Sequence, residues 1–339
     1  MMNGGRSLKL EPRDPARSIA RAAIALGRFG LDRRERPEAF VERNWKNDSD
    51  AAWLIRASTT PTTLATAGDL VQIKTAILPM LRPFSAAAQL FENCLSVTFD
   101  NTGSVSVPNY GTVGVAFVAE NAPKPALQGA GTAATLTPKK IAGIVSVTLE
   151  LLYNPDIENV MQQLLAESSG PVLDTAVFSA NAATASTPAG ILNGIAGLTP
   201  TVAGSDAFAA YIGDLKKLAS AVGAVAGTGD IFFIMSPAQA VSATYRSARE
   251  NVNVLATGSV VDGTVIAVAT NGLVSAMGAP TFATSTEATV QEDSAPGAVM
   301  TALTRSLWQT GSVGVKMNLE TSWVRRATGA VAWMASVNW

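Results

Sequence analysis

A chain of 339 residues with 47% apolar and 15% charged side chains is not disordered, and with 28 glycines and 17 prolines it is neither collagen-like nor of low complexity. It has no histidine and a single cysteine, Cys94. This excludes Ser-His-Asp and Cys-His catalysis, histidine-ligated metals, internal disulfides, iron–sulfur clusters and cysteine zinc sites. The formal charge of −1 hides an asymmetry, because residues 1–46 carry 11 Lys/Arg against 6 Asp/Glu while the remainder carries 14 against 20. A basic arm ahead of an acidic body either faces something anionic, faces a neighbouring copy, or is a solvated arginine-rich helix.

Met1–Lys9 lacks the apolar core of a signal peptide. Asp14-Pro15 suits a helix start, and Ile19, Ala22, Ala23, Leu26 and Phe29 share one face as far as Gly30. Arg17, Arg21 and Arg28 lie on the opposite face. Arg33–Thr66 is polar and turn-rich, which reads as an extended arm. A second amphipathic segment, Asp69–Leu95, is interrupted by Pro79 and Pro83.

Val97–Lys140 alternates short strands (Val105 and Val107, then Val113, Val115 and Phe117) around Gly, Asn and Pro. Such a two-stranded excursion has little to bury on itself and needs a supporting surface, in this chain or another. Ile141–Leu152 reads as a strand with Val145, Val147, Leu149 and Leu151 on one face. Asn154-Pro155 then opens a long helix whose stripe (Ile157, Val160/Met161, Leu164/Leu165, Val172/Leu173, Ala176/Val177) keeps phase through Gly170-Pro171, so one helix kinked at the proline is expected.

Ala207–Val222 is helical, Asp230–Met235 a buried strand, and Ser236-Pro237 opens a helix to about Arg249. Strand-like runs follow at Val260–Ala269 and Ala279–Ala283. At the end, Val313, Val315, Met317, Leu319, Thr321 and Trp323 alternate with polar residues, and Val331, Trp333, Ala335, Val337 and Trp339 resume the period after a turn. The two runs predict a terminal hairpin spanning the molecule. The uncharged stretches Thr175–Ser205 and Gly263–Thr286 are too broken by Gly, Pro and polar residues to cross a membrane. The fold class is α+β.

No catalytic constellation emerges. Gly223–Gly229 lacks the Lys-Ser/Thr of a phosphate loop and precedes a strand. No nucleophile elbow or Ser-x-x-Lys pattern occurs. The adjacent acids Glu292 and Asp293 point apart in a strand. Cys94 reads as a core residue, and the six tryptophans, among them Trp323, Trp333 and Trp339, read as packing on strand faces. The chain is therefore expected to be no enzyme and to need no cofactor or metal.

Ala119-Glu120-Asn121-Ala122-Pro123-Lys124-Pro125, the Thr135–Leu152 strand pair, Pro188–Leu192 (Pro-x-Gly-Ile-Leu) and the closing Trp-Val-Arg-Arg…Trp pattern follow in one order. Over roughly residues 69–339 this order resembles the major capsid proteins of tailed phages, whose fold is named after phage Hong Kong ninety-seven. The resemblance leaves residues 1–68 outside the match as a basic N-terminal arm, and implies the start of a peripheral domain (69–96) and an extended loop (97–140). It then implies a peripheral domain with a spine helix (141–190), an axial domain (191–284), peripheral strands (285–322) and a strand returning to the axial domain (323–339).

Copies would form pentamers and hexamers of an icosahedral shell around double-stranded DNA. Portal protein and a scaffold or protease would be assembly partners, with the shell built in the host bacterial cytoplasm and the product in the virion. Glu120 and Lys124, at the base of the loop, would touch a neighbouring subunit. In some members the matching lysine joins a neighbour's asparagine, but Arg305–Lys316 has neither Asn nor acid, so no covalent link is expected. Arg13, Arg17, Arg21, Arg28, Arg33 and Arg34 would face DNA or a neighbour. The alternatives are an encapsulin-like compartment shell and, more remotely, a histidine-free hydrolase or a surface adhesin.

Overall fold

The computed structural model describes residues 15–31, 36–45, 48–59, 81–99, 103–109, 117–118, 132–148, 150, 157–202, 206–246, 252–278, 280–292 and 304–339. The expected helix start at Asn154-Pro155 and the first part of the Asp69–Leu95 segment lie outside these residues. The chain divides into two compact units. One holds residues 1–80, 143–166 and 281–317, the other residues 81–142, 167–280 and 318–339.

The first unit begins with three helices, α1 (Pro15–Leu31), α2 (Pro37–Asn44) and α3 (Ser49–Thr59). Of the residues read from sequence as an extended arm, Arg33–Thr66, two stretches are therefore helical. Alanines explain this: Ala20, Ala22, Ala23 and Ala25 leave α1 slim enough to be enclosed, and Ile19, Ile24 and Leu26 are also buried. Ala51, Leu54 and Ile55 of α3 and Phe40 and Val41 of α2 complete the cluster. Helices α1 and α3 both pack on strand β9 (Thr281–Ser285), where the Thr284 hydroxyl donates to the Leu26 carbonyl at 3.1 Å. The hairpin of β10 (Thr289–Gln291) and β11 (Thr304–Ser306) lies in the same unit.

The second unit carries the ribbon strands β2 (Val105–Asn109) and β3 (Thr132–Leu136), the helix α4 (Ala86–Glu92) and a mixed α/β core. In that core β13 (Val331–Met334), β7 (Val265–Ala269), β5 (Ile231–Met235) and β6 (Asn253–Ala256) form one sheet in that order. Helix α6 (Ala207–Ala226) starts at Asp206, whose carboxylate accepts the Phe208 and Ala209 amides, and ends at Gly227 with φ +58°. It buries Tyr211, Leu218 and Val222 against β7 and β13. The glycines of Gly223–Gly229 thus serve the end of a helix. Helix α7 (Pro237–Arg246) follows β5, as Ser236-Pro237 predicts.

A second sheet runs β1 (Leu95–Thr98), β8 (Leu273–Met277), β12 (Ser312–Arg325) and β4 (Lys139–Thr148), with β9 also on β12. Strand β12 buries Val313, Val315, Met317, Leu319, Thr321 and Trp323, the predicted face. The terminal hairpin does not form. Neighbours β8 and β4 already flank β12, so β13 has no such place on it and pairs instead with β7 (Val331 opposite Val268). The diversion begins where the Arg326 amide donates to the Gly272 carbonyl at 2.8 Å, and Gly329, at φ +81°, completes the turn.

Helix α5 (Ile157–Val177) runs through Pro171, as the stripe predicts. Its buried face is rotated from the expected one: Leu165, Ser169, Leu173, Asp174 and Val177 are enclosed, whereas Leu164 and Val172 are exposed. Gly170 accounts for part of this, since a Cβ there would lie 2.6 Å from the Phe84 carbonyl oxygen. The glycine admits a crossing backbone that any side chain would push away.

Candidate assembly surfaces

The ribbon is built from residues that pair but cannot cover one another. Strands β2 and β3 are antiparallel, Val105 facing Leu136 and Asn109 facing Thr132. Their inward side chains, Val107 and Leu136, pack with Phe99 on Val274 and Ala276 of β8. The base of the excursion is therefore held by this chain's own sheet, one of the two supports the sequence left open. Between the two strands in sequence, Phe117 is fully exposed and Val118 is exposed too. Glu120 and Lys124 lie outside the described residues.

The arginines of α1 are largely engaged inside the helical cluster. Asp48 caps α3 through the Ala51 amide (3.0 Å) and accepts the Ser18 hydroxyl (2.7 Å) and an Arg21 nitrogen (2.9 Å). The Arg21 guanidinium also lies over the Trp45 ring at 5.3 Å, and Arg28 over Phe40 at 4.9 Å. Arg17 is exposed. Arg13, Arg33 and Arg34 lie outside the described residues. Sequence spacing put Arg17, Arg21 and Arg28 on one face but could not foresee α2 and α3 supplying aromatic rings and an acid to it.

The tryptophans do more than pack. Trp323 donates its indole N–H to the Ala189 carbonyl at 2.8 Å, Trp333 to Ile195 at 3.0 Å, and Arg325 reaches the Asn193 carbonyl at 2.6 Å. Together they hold the irregular segment after α5 to the end of the chain. Trp339 closes α6 by donating to Asp214 at 3.0 Å, with its ring edge-on to Tyr211. Gly190 sits so close to the end of α5 that a Cβ would strike the Ser179 carbonyl. That contact is the physical content of the Pro-x-Gly-Ile-Leu run.

Burial pushes the Cys94 thiol up to about 12, so it stays protonated and unreactive at neutral pH. Among the described residues no group of three or more Cys, Asp or Glu is placed to hold a metal ion, and no helix is long and apolar enough to cross a membrane. Glu292 pairs with Arg305 at 3.2 Å. Phe117 is an exposed aromatic, and Trp308, read from sequence as packing on a strand face, instead lies exposed in a turn. Trp308 had a usable signal, since it sits in Gln-Thr-Gly-Ser turn sequence that offers no inward face.

The family model described as the phage capsid family matches residues 71–249, more than half of the chain. This chain belongs to the phage capsid family. Membership makes it a capsid protein of the phage shell. A curated relative, the capsid polyprotein of Pseudomonas phage PAJU2, is 30% identical over 230 residues, 60% of this chain. The chain spans about a third of that relative's length (34%).

Solved structures share the fold at low identity. A chain from Microbacterium phage Oxtober96 matches with a TM-score of 0.50 at 17% identity, over 74% of this chain and 90% of the other. One from Mycobacterium phage Bobi matches at 0.50 and 18%, over 73% and 89%. The satellite phage P4 procapsid matches at 0.50 and 9%, over 87% and 98%. The α+β capsid fold expected from the sequence is thus borne out.

Proposed function

We propose that this capsid-family chain is the major head protein, that its copies form pentamers and hexamers, and that these close into an icosahedral shell around double-stranded DNA. The observation that carries the reading is the ribbon: its base is fixed to its own sheet while Phe117, between the two strands in sequence, is fully exposed. The 22 residues between β2 and β3 can extend as two arms of about 36 Å at roughly 3.3 Å per residue. Arms of that length suffice to lie on a neighbouring subunit. The domain scheme given above, with its loop over 97–140 and axial domain over 191–284, goes with this reading.

Glu120 and Lys124 would then meet the neighbour through ion pairs or hydrogen bonds. Boiling assembled protein in denaturant should release single chains, and a ladder of linked species would contradict this. The positive excess of residues 1–46 supports an inner surface facing DNA through Arg17 and, beyond the described residues, Arg13, Arg33 and Arg34. Portal protein and a scaffold or protease would take part in assembly in the host cytoplasm. The test is Phe117→Ser in the full chain. The subunit should keep its helix content yet assemble poorly, and shells forming at the wild-type yield would contradict the reading.

A further inference from the structure

Between Ile19 and Ala25, helix α1 is enclosed on every side. Ile19, Ala20, Ala22, Ala23, Ile24 and Ala25 are each at most 2% exposed, and at about 3.6 residues per turn they point all around the axis. A helix laid on a surface as an arm would keep a polar face over such a stretch. The walls of this enclosure include α2, α3 and β9. On β9, Phe282 and Thr284 are two residues apart and so share a face. Phe282 is buried, and Thr284 donates to the Leu26 carbonyl of α1. Asp48 ties the start of α3 to Ser18 and Arg21 of α1. The cluster lies wholly ahead of residue 71, where the family match begins, yet it shares one compact unit with β9.

We infer that α1–α3 are a permanent part of the shell subunit, not a segment that an assembly protease discards. Any proteolytic cut near the start of the chain, which adds one water across a peptide bond, falls ahead of Pro15. Cutting the cluster away would strip cover from the Phe282 face of β9, and bare apolar surface of that kind favours aggregation over ordered assembly. The side chains of α1 point the same way. Its alanines let neighbours approach closely from all sides, and they offer little apolar area to hold the helix together once it is detached. The inference rests on the shell-forming reading above and adds which part of the chain the shell keeps.

Two measurements test it. Mass spectrometry of the shell chains in purified virions should find residues 15–59 in every copy, and chains that begin beyond Thr59 overturn the inference while leaving the capsid reading intact. The second measurement uses the full chain with a protease site inserted between Ala65 and Thr66. After cutting, the N-terminal piece should stay with the body in size-exclusion chromatography at micromolar concentration, with a dissociation constant below about 1 μM, and leave only in denaturant. Introducing Leu54→Asp and Ile55→Asp into the same protein should release the piece in native buffer, because both side chains are buried in the cluster. Release of the unsubstituted piece in native buffer overturns the inference, whatever the aspartate variant does. Virions whose shell does not contain this chain overturn the capsid reading, and the shell part of the inference falls with it.

Discussion

Asp174 accepts a 2.7 Å hydrogen bond from the hydroxyl of Thr257, 83 residues further along the chain. The same carboxylate, 2% exposed, accepts the Ser85 hydroxyl at 2.5 Å and the Ala86 and Ala87 amides at 3.0 and 2.9 Å. One acid on α5 thus caps α4 and holds the segment after β6. Asp174→Ala would leave these buried donors unpaired, with an expected loss of about 3 kcal/mol or more for the unassembled subunit in urea. Asp174→Asn keeps an acceptor and should lose less. Equal stability of all three proteins would remove Asp174 from this role.

Two glycines should respond in opposite directions. Gly190→Ala forces a Cβ onto the Ser179 backbone and should destabilise by about 1–3 kcal/mol. Gly223 lies inside α6 with open space where a Cβ would go, so Gly223→Ala should stabilise by about 0.4–1 kcal/mol. Thermal melts of the two variants side by side check both signs.

These glycines also mark what was legible in the sequence. The period-two face of β12, the stretch of α5 through Pro171 and the Ser236-Pro237 helix start follow from local patterning, which burial in one chain enforces. Strand β8 was missed because all five of its residues are buried, so Leu273–Met277 reads as an undifferentiated apolar run rather than an alternating one. The terminal hairpin failed because strand pairing depends on which edges are already taken. The folded state of residues 37–59 was hidden because α2 and α3 are short and draw their stability from α1 and β9 rather than from their own periodicity. For the assembly surfaces, the motif order pointed to the family, but the exposure of Phe117 and Trp308 is a property of the folded surface.

The helical cluster predicts coupled energetics. Arg21 and Asp48 are mostly enclosed, with side-chain exposures of 22% and 7%. A double-mutant cycle with Arg21→Gln and Asp48→Asn should show a coupling of about 1–2 kcal/mol. Additive losses would mean that the Arg21–Asp48 pair adds nothing to stability.

Cys94 should resist thiol reagents in the folded subunit and react fully in denaturant. Its raised pKa also carries a sign. Below about pH 9 the thiol is protonated in both states and adds no pH dependence. Between about 9 and 12 only the unfolded thiol ionises, so stability falls as pH rises. Above pH 9 the wild type should therefore lose about 1.4 kcal/mol more per pH unit than Cys94→Ala. Parallel profiles would contradict the burial of this thiol.

The most direct measurement is electron cryomicroscopy of the purified full-length protein at assembly concentration. The account predicts closed shells of uniform diameter, with five- and six-fold clusters of subunits and each ribbon lying on a neighbour. A solution of monodisperse single subunits, with Phe117 folded back onto its own chain, would contradict it.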